Sequence, residues 1–444
     1  MLVLICTTFW ETDGLVGLRK DTLIDSNDLS SRPKLKIAFV VYRGNPHSGG
    51  QGVYTRYLTR ELASMGHQVE VFSGPPYPDL PKEVTLTRLP SLDLYREPDP
   101  FRVPKLSEFK DLYDLGEFLL MSSGAFPEPR SFGWRLLREL TPRLGEFDVV
   151  HDNQSLSRSV LKFQQYGVPV VASIHHPITV DRRLSMEYAE SLRQKVGLFR
   201  FYGFVRMQCQ VASQIEHILS VSKVSARDIS LEMGVDLRKI SVGPVGVDTK
   251  TFRPVPEIIR EPGLVVTTAS ADVPLKGLRY LIEAMAALDK VRGDLRLVVM
   301  GPSREDSPVR QLVERLGLSK KVRFLGKVSQ QDMVAYYSRC QVAVVPSLYE
   351  GFSLPSVEAM ACGAPLVVTD GGALPEVVGN ESSECALVVR AGDSDALALA
   401  ISRMVDDPGL GRKLARNAMY HVRDRYSWRR SAETALNLYY KAIG

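Results

Sequence analysis

Apolar and polar positions along the chain follow two alternating patterns. Short β-branched runs such as residues 36–42 and 341–345 predict buried strands, whereas apolar residues three and four positions apart in residues 53–65 predict an amphipathic helix. Segments of the two kinds alternate, which is typical of a parallel sheet covered by helices. The sequence therefore predicts an α/β protein. Further strands are predicted at residues 67–72, 168–174, 218–221, 264–268, 295–300, 322–325 and 365–369.

The alternation is interrupted at two places. Residues 75–148 are rich in Pro and aromatic residues, and we expect them to form an inserted, substrate-specific lobe. Residues 254–256 read Pro-Val-Pro and precede a second alternating series, so we place a domain boundary there. A chain of 444 residues is also too long for one typical core. We predict a poorly ordered N-terminal extension at 1–34, a first domain at 35–254, a second domain at 255–427 and a terminal helix at 428–444.

Composition excludes several classes of protein. The apolar content of 44% is ordinary for a soluble protein, and a net charge of +5 does not indicate a nucleic-acid partner. Five scattered cysteines without a C-x-x-C pair argue against a disulfide framework and a zinc site. No apolar run reaches the roughly 18 residues of a membrane span, and the apolar start lacks the basic residues of a signal peptide. We therefore expect a cytoplasmic protein.

Two carboxylates, Glu350 and Glu358, stand eight positions apart after a predicted strand. Pro355 suits the first turn of a helix, so a strand, a Gly-containing turn and a helix N-terminus follow one another within about a dozen positions. Backbone N–H groups of residues 351–353 would then point into the space beside both carboxylates. Amides at a helix N-terminus bind phosphate, and carboxylates accept hydrogen bonds from hydroxyls. The pattern therefore predicts a site for a phosphorylated sugar.

The stretch from Glu350 to Glu358 resembles the E-x7-E signature of retaining glycosyltransferases of family 4, and Glu358-Ala359-Met360 matches its usual surroundings. The resemblance covers residues 35–440. It implies the GT-B fold, in which two Rossmann-like, doubly wound domains face a central cleft and the C-terminal helix crosses back onto the N-terminal domain. The resemblance makes 35–254 the acceptor-side domain and 255–427 the nucleotide-sugar-binding domain. It also implies that Glu350 faces the donor sugar and that Glu358 holds the ribose hydroxyls. The donor would further contact Gly351, Phe352, Ser353 and Leu354.

Other parts of the resemblance lie at the ends of predicted strands. The glycine loop at residues 48–52, with Gly49 and Gly50, matches a loop that approaches the donor diphosphate. His175 matches a catalytic histidine beside the donor sugar, although the adjacent His176 leaves the register open. Contacts to the nucleotide base are implied for Gly326, Lys327 and Val328.

A second strand end, at residues 149–153, carries two polar side chains that we assign to the acceptor. His151 and Asn153 directly follow two valines of a predicted strand. Because the carboxyl ends of parallel strands face the ligand in doubly wound folds, we expect these side chains to contact the acceptor.

Lys276 matches the family's basic residue that neutralises the diphosphate. Members of the family usually carry an arginine five or six positions earlier, where this chain has Ser270 and Ala271. Serine does not replace a bidentate arginine without loss. Either another arginine reaches the site or the activity is weaker than the signature suggests.

Two further motifs concern metals and membranes. Asp393-Ser394-Asp395 has the D-x-D spacing of a metal site, but its place before a predicted helix favours capping. We expect no metal and no cofactor, since GT-B enzymes rely on helix ends and basic side chains. Residues 192–207 combine basic and aromatic side chains. Burial of the aromatic rings is the default, and peripheral contact with the inner face of a membrane is the alternative.

The resemblance implies a glycosyltransferase of the hexosyltransferase type. It would move a sugar from a UDP- or GDP-linked donor to a glycan, lipid or small-molecule acceptor and form an α-linked product. One alternative is a hydrolysing epimerase of UDP-sugars, which would not need an acceptor lobe. The other is a non-catalytic subunit that binds nucleotide-sugars, which the missing arginine favours. The sequence leaves the base, the sugar and the acceptor open.

Overall fold

The computed structural model describes residues 29–444 apart from residues 30, 46–49, 97, 98, 100, 188, 190 and 380–383. Within these residues the chain forms two fully parallel sheets, of seven and six strands. The first sheet contains β1 (Lys36–Val41), β2 (Gln68–Ser73), β3 (Thr85–Arg88), β4 (Val149–Asn153), β5 (Val170–Ile174), β6 (His217–Ser220) and β7 (Ile240–Val242). The second contains β8 (Leu264–Thr268), β9 (Arg296–Met300), β10 (Val322–Gly326), β11 (Val342–Val345), β12 (Leu366–Thr369) and β13 (Leu387–Val389).

Both sheets have the strand order of a doubly wound fold. The order is β3-β2-β1-β4-β5-β6-β7 in the first sheet and β10-β9-β8-β11-β12-β13 in the second. In each sheet the chain therefore starts in the middle, moves to one edge, returns and continues to the other edge. Ligands of such sheets bind beyond the carboxyl ends of the strands, where the order reverses.

Helices cover both faces of each sheet. The first half of the chain contributes α1 (Gln51–Ser64), α2 (Leu112–Ser122), α3 (Glu128–Leu140), α4 (Arg158–Gln165), α5 (Ile178–Glu187), α6 (Leu192–Phe201), α7 (Val205–Ala212) and α8 (Lys223–Met233). The second half contributes α9 (Leu278–Asp289), α10 (Pro308–Arg315), α11 (Gln330–Arg339), α12 (Leu354–Ala361), α13 (Leu374–Val377), α14 (Ser394–Asp406), α15 (Pro408–Arg425) and α16 (Trp428–Ile443).

The central strands are apolar on both sides because both faces are covered. In β1, Ile37 and Phe39 enter one core cluster, whereas Ala38 and Val40 enter the cluster on the opposite face. All four side chains are fully buried. The prediction of an α/β protein built from two doubly wound domains is confirmed.

The last helix, α16, lies on the first domain although α15 before it belongs to the second. The ring of Trp428 stacks on Tyr57 of α1, with centroids 5.2 Å apart. Tyr439 is fully buried in the same core cluster as Ile37 and Phe39. The N-terminal sheet thus completes its core with a helix from the far end of the sequence.

Three features of the first half differ from the prediction or extend it. Residues 75–148 do not form a separate lobe: β3 pairs with β2, and α3 buries Phe132 and Leu136 in the domain core. In residues 192–207, Phe199 is 71% exposed whereas Phe204 is buried, so only part of the aromatic set enters the core. Within the described residues, no helix combines the length and apolar character needed to cross a membrane.

Most of the predicted N-terminal extension, residues 1–28, lies outside the described residues. Its last part contacts the first domain. Leu29 is buried, and the hydroxyl of Tyr440 in α16 donates a hydrogen bond to the carbonyl of Pro33 at 2.8 Å.

Candidate active site

The two domains meet where the loop after β11 contacts the loop after β5. A Cβ atom added to Gly351 would lie 2.5 Å from the carbonyl oxygen of His175, so only glycine fits at this approach. The carbonyl of Gly351 accepts hydrogen bonds from the hydroxyls of Ser222 and Ser225, at 2.7 and 3.1 Å. The carboxyl ends of strands from both domains therefore converge on one place.

Lys276 and Glu350 form an ion pair at this place. The Lys276 Nζ atom lies 2.8 Å from Oε1 of Glu350, and the hydroxyl of Ser347 donates to the same oxygen at 2.7 Å. The Glu350 side chain is only 11% exposed, whereas that of Lys276 is 34% exposed. Two residues that the sequence assigned to the site separately, 74 positions apart, thus neutralise one another.

The turn between Glu350 and α12 presents unused backbone donors. Ser353 has φ 95°, a left-handed conformation that is rare for a residue with a side chain, and no side chain caps α12. Among the described residues, none accepts a hydrogen bond from the N–H groups of residues 351–354. Orphan amides at a helix N-terminus form an anion site. Phe352 contributes only its main chain, because its ring is buried against Tyr426.

Glu358 lies one turn into α12 and is partly buried. Burial raises the pKa of its carboxyl to about 7. No described residue donates a hydrogen bond to this carboxylate, and the neighbouring Tyr337 hydroxyl is hydrogen-bonded to Thr268. Glu358 therefore offers an acceptor whose ionisation depends on what binds to it.

His175 follows β5 and is held in a neutral form. Burial and the adjacent His176 lower its pKa to about 3. Its Nε2–H donates to Oδ1 of Asn153 at 2.7 Å, since a carbonyl oxygen can only accept. This bond fixes the tautomer and leaves Nδ1 as an acceptor, without a partner among the described residues. His175 can thus accept a hydrogen bond from a sugar hydroxyl, but it cannot act as a cation at neutral pH.

His151 and Asn153 do not lie where the acceptor prediction requires. Both are fully buried in β4. The ring of His151 pairs with the hydroxyl of Tyr439 through Nδ1 and with that of Ser173 through Nε2, at 2.7 Å to the latter. Burial lowers the pKa of His151 to about 3. The prediction of acceptor contact is therefore wrong for this structure: His151 joins α16 to the sheet, and Asn153 orients His175.

Gln154 is a positioning residue that sequence reasoning missed. It has φ 58°, its side-chain oxygen accepts from the N–H of His175 at 2.8 Å, and its amide donates to the carbonyl of His176 at 2.9 Å. The carboxylate of Asp152 holds the same turn by accepting from the N–H groups of Ser155 and Leu156. A glutamine gives no sequence signal for a left-handed conformation, so this support could not be predicted.

The remaining predicted donor contacts lie on two glycine turns. Gly49 is outside the described residues. Gly50 has φ 71° and precedes α1, and no described residue lies within 4 Å of where its Cβ would be. Gly326 has φ 70° at the end of β10, and its carbonyl accepts from the N–H of Gly301 at 2.9 Å. Lys327 and Val328 follow directly, at the carboxyl edge of the second sheet.

Residues 270 and 271, where members of the family usually carry an arginine, differ in their exposure to solvent. Ala271 is 5% exposed and belongs to the core of the second domain, whereas Ser270 is partly exposed. Arg304, from the loop after β9, lies beside this segment. Its backbone N–H donates to the carboxylate of Asp272 at 3.0 Å, and its guanidinium Nε lies 3.7 Å from the other oxygen of that carboxylate. The structure thus brings an arginine near, but an aspartate already balances its charge.

Asp393 caps a helix, as its position before a predicted helix favoured. Its carboxylate accepts from the N–H of Ala396 at 2.8 Å, at the start of α14. Within the described part of the chain, no group of three or more His, Cys, Asp or Glu side chains is arranged to hold a metal ion.

Side chains of the second domain also hold α8 of the first domain. The carboxylate of Glu376 accepts from the N–H groups of Lys223 and Val224, at 3.0 and 3.3 Å, and so caps α8 across the interface. The hydroxyl of Tyr349 donates to Asp228 at 2.6 Å. Both contacts lie next to the Glu350 turn, so they fix its position relative to the first domain.

Comparisons with known proteins identify the family and support the fold. Residues 250–420 match the family model described as glycosyl transferases group 1, and residues 48–251 match that of glycosyltransferase family 4. The chain belongs to the family 4 glycosyltransferases and is an enzyme that transfers glycosyl groups. It is 46% identical over 410 residues to the MMP alpha-(1->4)-mannosyltransferase of Mycolicibacterium hassiacum, which covers 92% of this chain and 98% of that protein.

More distant proteins share the same architecture. The D-inositol 3-phosphate glycosyltransferase of Salinispora tropica is 28% identical over 90% of this chain and 82% of its own length. Among solved structures, sucrose-phosphate synthase from Thermosynechococcus elongatus superimposes with a TM-score of 0.70 at 22% identity, covering 92% of this chain and 99% of that one. The predicted GT-B fold is therefore confirmed.

Proposed function

We propose that the protein is a retaining α-mannosyltransferase. It moves mannose from a nucleoside diphosphate mannose to the 4-hydroxyl of a carbohydrate acceptor. The near-full-length identity of 46% to an alpha-(1->4)-mannosyltransferase supports the sugar and the linkage. The observation that carries the mechanism is the Lys276–Glu350 ion pair beside the unused amides of residues 351–354.

The leaving diphosphate is stabilised by positive charge. Its oxygens accept from the amides at the start of α12 and compete with Glu350 for Lys276. Gly50 allows the backbone to approach the diphosphate from the first domain, because it has no side chain and no described residue lies within 4 Å of its Cβ position. No metal and no cofactor are required in this mechanism, since helix N-terminus and lysine supply the charge.

Glu350 and Glu358 act as the two glutamates of the family signature. Glu350 orients the sugar and stabilises positive charge at the anomeric carbon, while Glu358 accepts from the ribose hydroxyls. The base lies against the main chain of Gly326, Lys327 and Val328. The bond from the anomeric carbon to the phosphate oxygen breaks, and the acceptor oxygen bonds to the same face. The acceptor proton passes to the leaving phosphate oxygen, so no protein base is needed.

The test is a transfer assay with UDP-mannose and GDP-mannose and an α-(1→4)-linked mannose oligosaccharide as acceptor. We expect an α-(1→4) product, identified by NMR, and full activity after treatment with a metal chelator. Glu350→Gln should slow transfer about 100-fold or more, because an electrostatic contact to the transition state is lost. The matched control is Glu314→Gln, an exposed residue of α10.

Each alternative predicts a different result. A β-linked product, or no transfer with either donor, would contradict the proposal. A hydrolysing epimerase would instead release free nucleoside diphosphate and an epimerised sugar without any acceptor. A binding subunit would shift the melting temperature with nucleotide-sugars but leave the donor intact.

A further inference from the structure

A basic cavity of about 560 Å³ opens on the first domain between α3, α4 and α7. We call it the α4 cavity. Its lining includes four cationic side chains and no acidic one among the described residues. The four cations are Arg130, Arg158, Lys162 and Arg206. None of them belongs to the donor site described above.

No acidic side chain of the described residues pairs with the cations of the α4 cavity. Arg130 donates one hydrogen bond, to the carbonyl of Gly203 at 3.1 Å. Arg158, Lys162 and Arg206 have no carboxylate partner among the described residues. Burial and the charge of Arg158 lower the pKa of Arg130. Like charges around one space repel, and a bound anion would remove that repulsion.

The start of α4 adds backbone donors to the same cavity. Ser157, at the N-cap position, makes no capping hydrogen bond, because its hydroxyl pairs with that of Ser159 at 2.5 Å. Both serines line the cavity. The N–H of Val160 donates to the carbonyl of Ser157 at 3.2 Å, whereas no described residue accepts from the N–H groups of Arg158 and Ser159. These two N–H groups and the positive end of the helix dipole therefore act together with the four cations.

The α4 cavity also has an apolar wall, and its volume is large enough for an organic ligand rather than a bare ion. Trp134, which is 38% exposed, and Met207 line it beside the cations. Pockets of roughly 300–1,000 Å³ hold small organic ligands, and an exposed indole face can cover a sugar ring. The four cations and the apolar wall together fit a ligand in which an anionic group is joined to a ring.

We propose that the α4 cavity is a second ligand site, which binds a phosphoryl group carried by a carbohydrate or by a lipid headgroup. The cations and the α4 amides take the phosphate oxygens, and Trp134 covers the attached ring. The site is independent of the mannosyl donor, and its ligand chemistry does not rest on the sugar or linkage proposed above.

Two charge-matched double variants test the site. Arg158→Gln with Lys162→Gln removes two exposed cations from α4, and Arg412→Gln with Arg416→Gln removes two exposed cations from α15. Both variants keep the donor site, so phosphate that binds there contributes equally to each. Circular dichroism and melting temperature verify that both fold like the wild type.

Binding is measured by calorimetry with inorganic phosphate and mannose 6-phosphate, and by sedimentation with vesicles of phosphatidylcholine and phosphatidylglycerol. We expect the α4 variant to lose affinity about 10-fold or more, as expected for lost charge-assisted hydrogen bonds, while the α15 variant binds like the wild type. Loss confined to the soluble phosphates identifies a small phosphorylated ligand, and loss confined to vesicles identifies a lipid headgroup. Equal binding by all three proteins, or no binding to any probe, overturns the proposal.

Discussion

Nucleotide affinity should depend on pH through Glu358. Burial raises the pKa of this carboxyl to about 7, so it is about half protonated at neutral pH. The ionised carboxylate can accept a hydrogen bond from a ribose hydroxyl at each of its two oxygens, whereas the protonated carboxyl carries a proton on one of them. Binding of the ribose therefore favours the ionised form and lowers the pKa of Glu358 in the complex. The affinity for nucleoside diphosphate should rise as the pH rises.

The size of the effect follows from the two pKa values. If binding returns the pKa of Glu358 from about 7 to its ordinary value near 4.5, affinity rises about 10-fold between pH 6 and pH 8. Near pH 6, binding should release close to one proton per nucleotide. Above pH 8 the affinity should level off, because Glu358 is then ionised in both the free and the bound protein.

Calorimetry in buffers of different ionisation enthalpy measures both quantities. The nucleotide's own phosphate titrates in the same range, so the informative comparison is with Glu358→Gln, which keeps the shape but cannot ionise. We expect the variant to bind about 10- to 100-fold more weakly at pH 8, with a flatter pH profile. Glu314→Gln serves as the control. Identical pH profiles for wild type and Glu358→Gln would refute the reasoning.

Three further changes test other parts of the site. Lys276→Ala should slow glycosyl transfer about 100-fold or more, because it removes the cation that pairs with Glu350; a rate near that of the wild type would show that another cation serves the leaving group. Tyr439→Phe leaves His151 without one partner in a fully buried site and should lower the free energy of unfolding by about 1–3 kcal/mol in urea denaturation; an unchanged value would contradict this. Gly351→Ala places a Cβ 2.5 Å from a backbone carbonyl of the other domain and should weaken nucleotide binding about 10-fold by calorimetry; normal affinity would show that the domains tolerate separation.

Local order along the chain explains which parts of the site could be predicted. Glu350 and Glu358 were placed correctly in the turn and in the helix because strand, turn and helix are neighbours in sequence. The rule that ligands bind beyond the carboxyl ends of parallel strands also placed His175 beyond β5, whereas the family resemblance placed Lys276 beyond β8. Secondary structure and topology thus followed from patterns of a few residues.

Long-range contacts explain the errors. In sequence, His151 comes directly after two strand-forming valines, as a ligand-binding residue would, but it lies within β4 and Tyr439, 288 positions later, covers it. No local pattern shows that α16 returns to this sheet. The Lys276–Glu350 pair is likewise set by the turn after β8 meeting the turn after β11. The strand β3 was missed because two of its four residues are exposed and two are half buried, and such an edge strand gives a weak apolar signal.

The return of α16 to the first sheet also determines the order in which the enzyme can mature on the ribosome. Domains generally fold as they are synthesised, N-terminal part first. Here the first domain keeps the sites for Trp428 and Tyr439 uncovered until the whole second domain has been translated. A nascent chain that stops before α16 exposes the aromatic ring of Tyr57 and leaves His151 open to water. Helix α16 therefore couples synthesis of the second domain to closure of the core of the first domain.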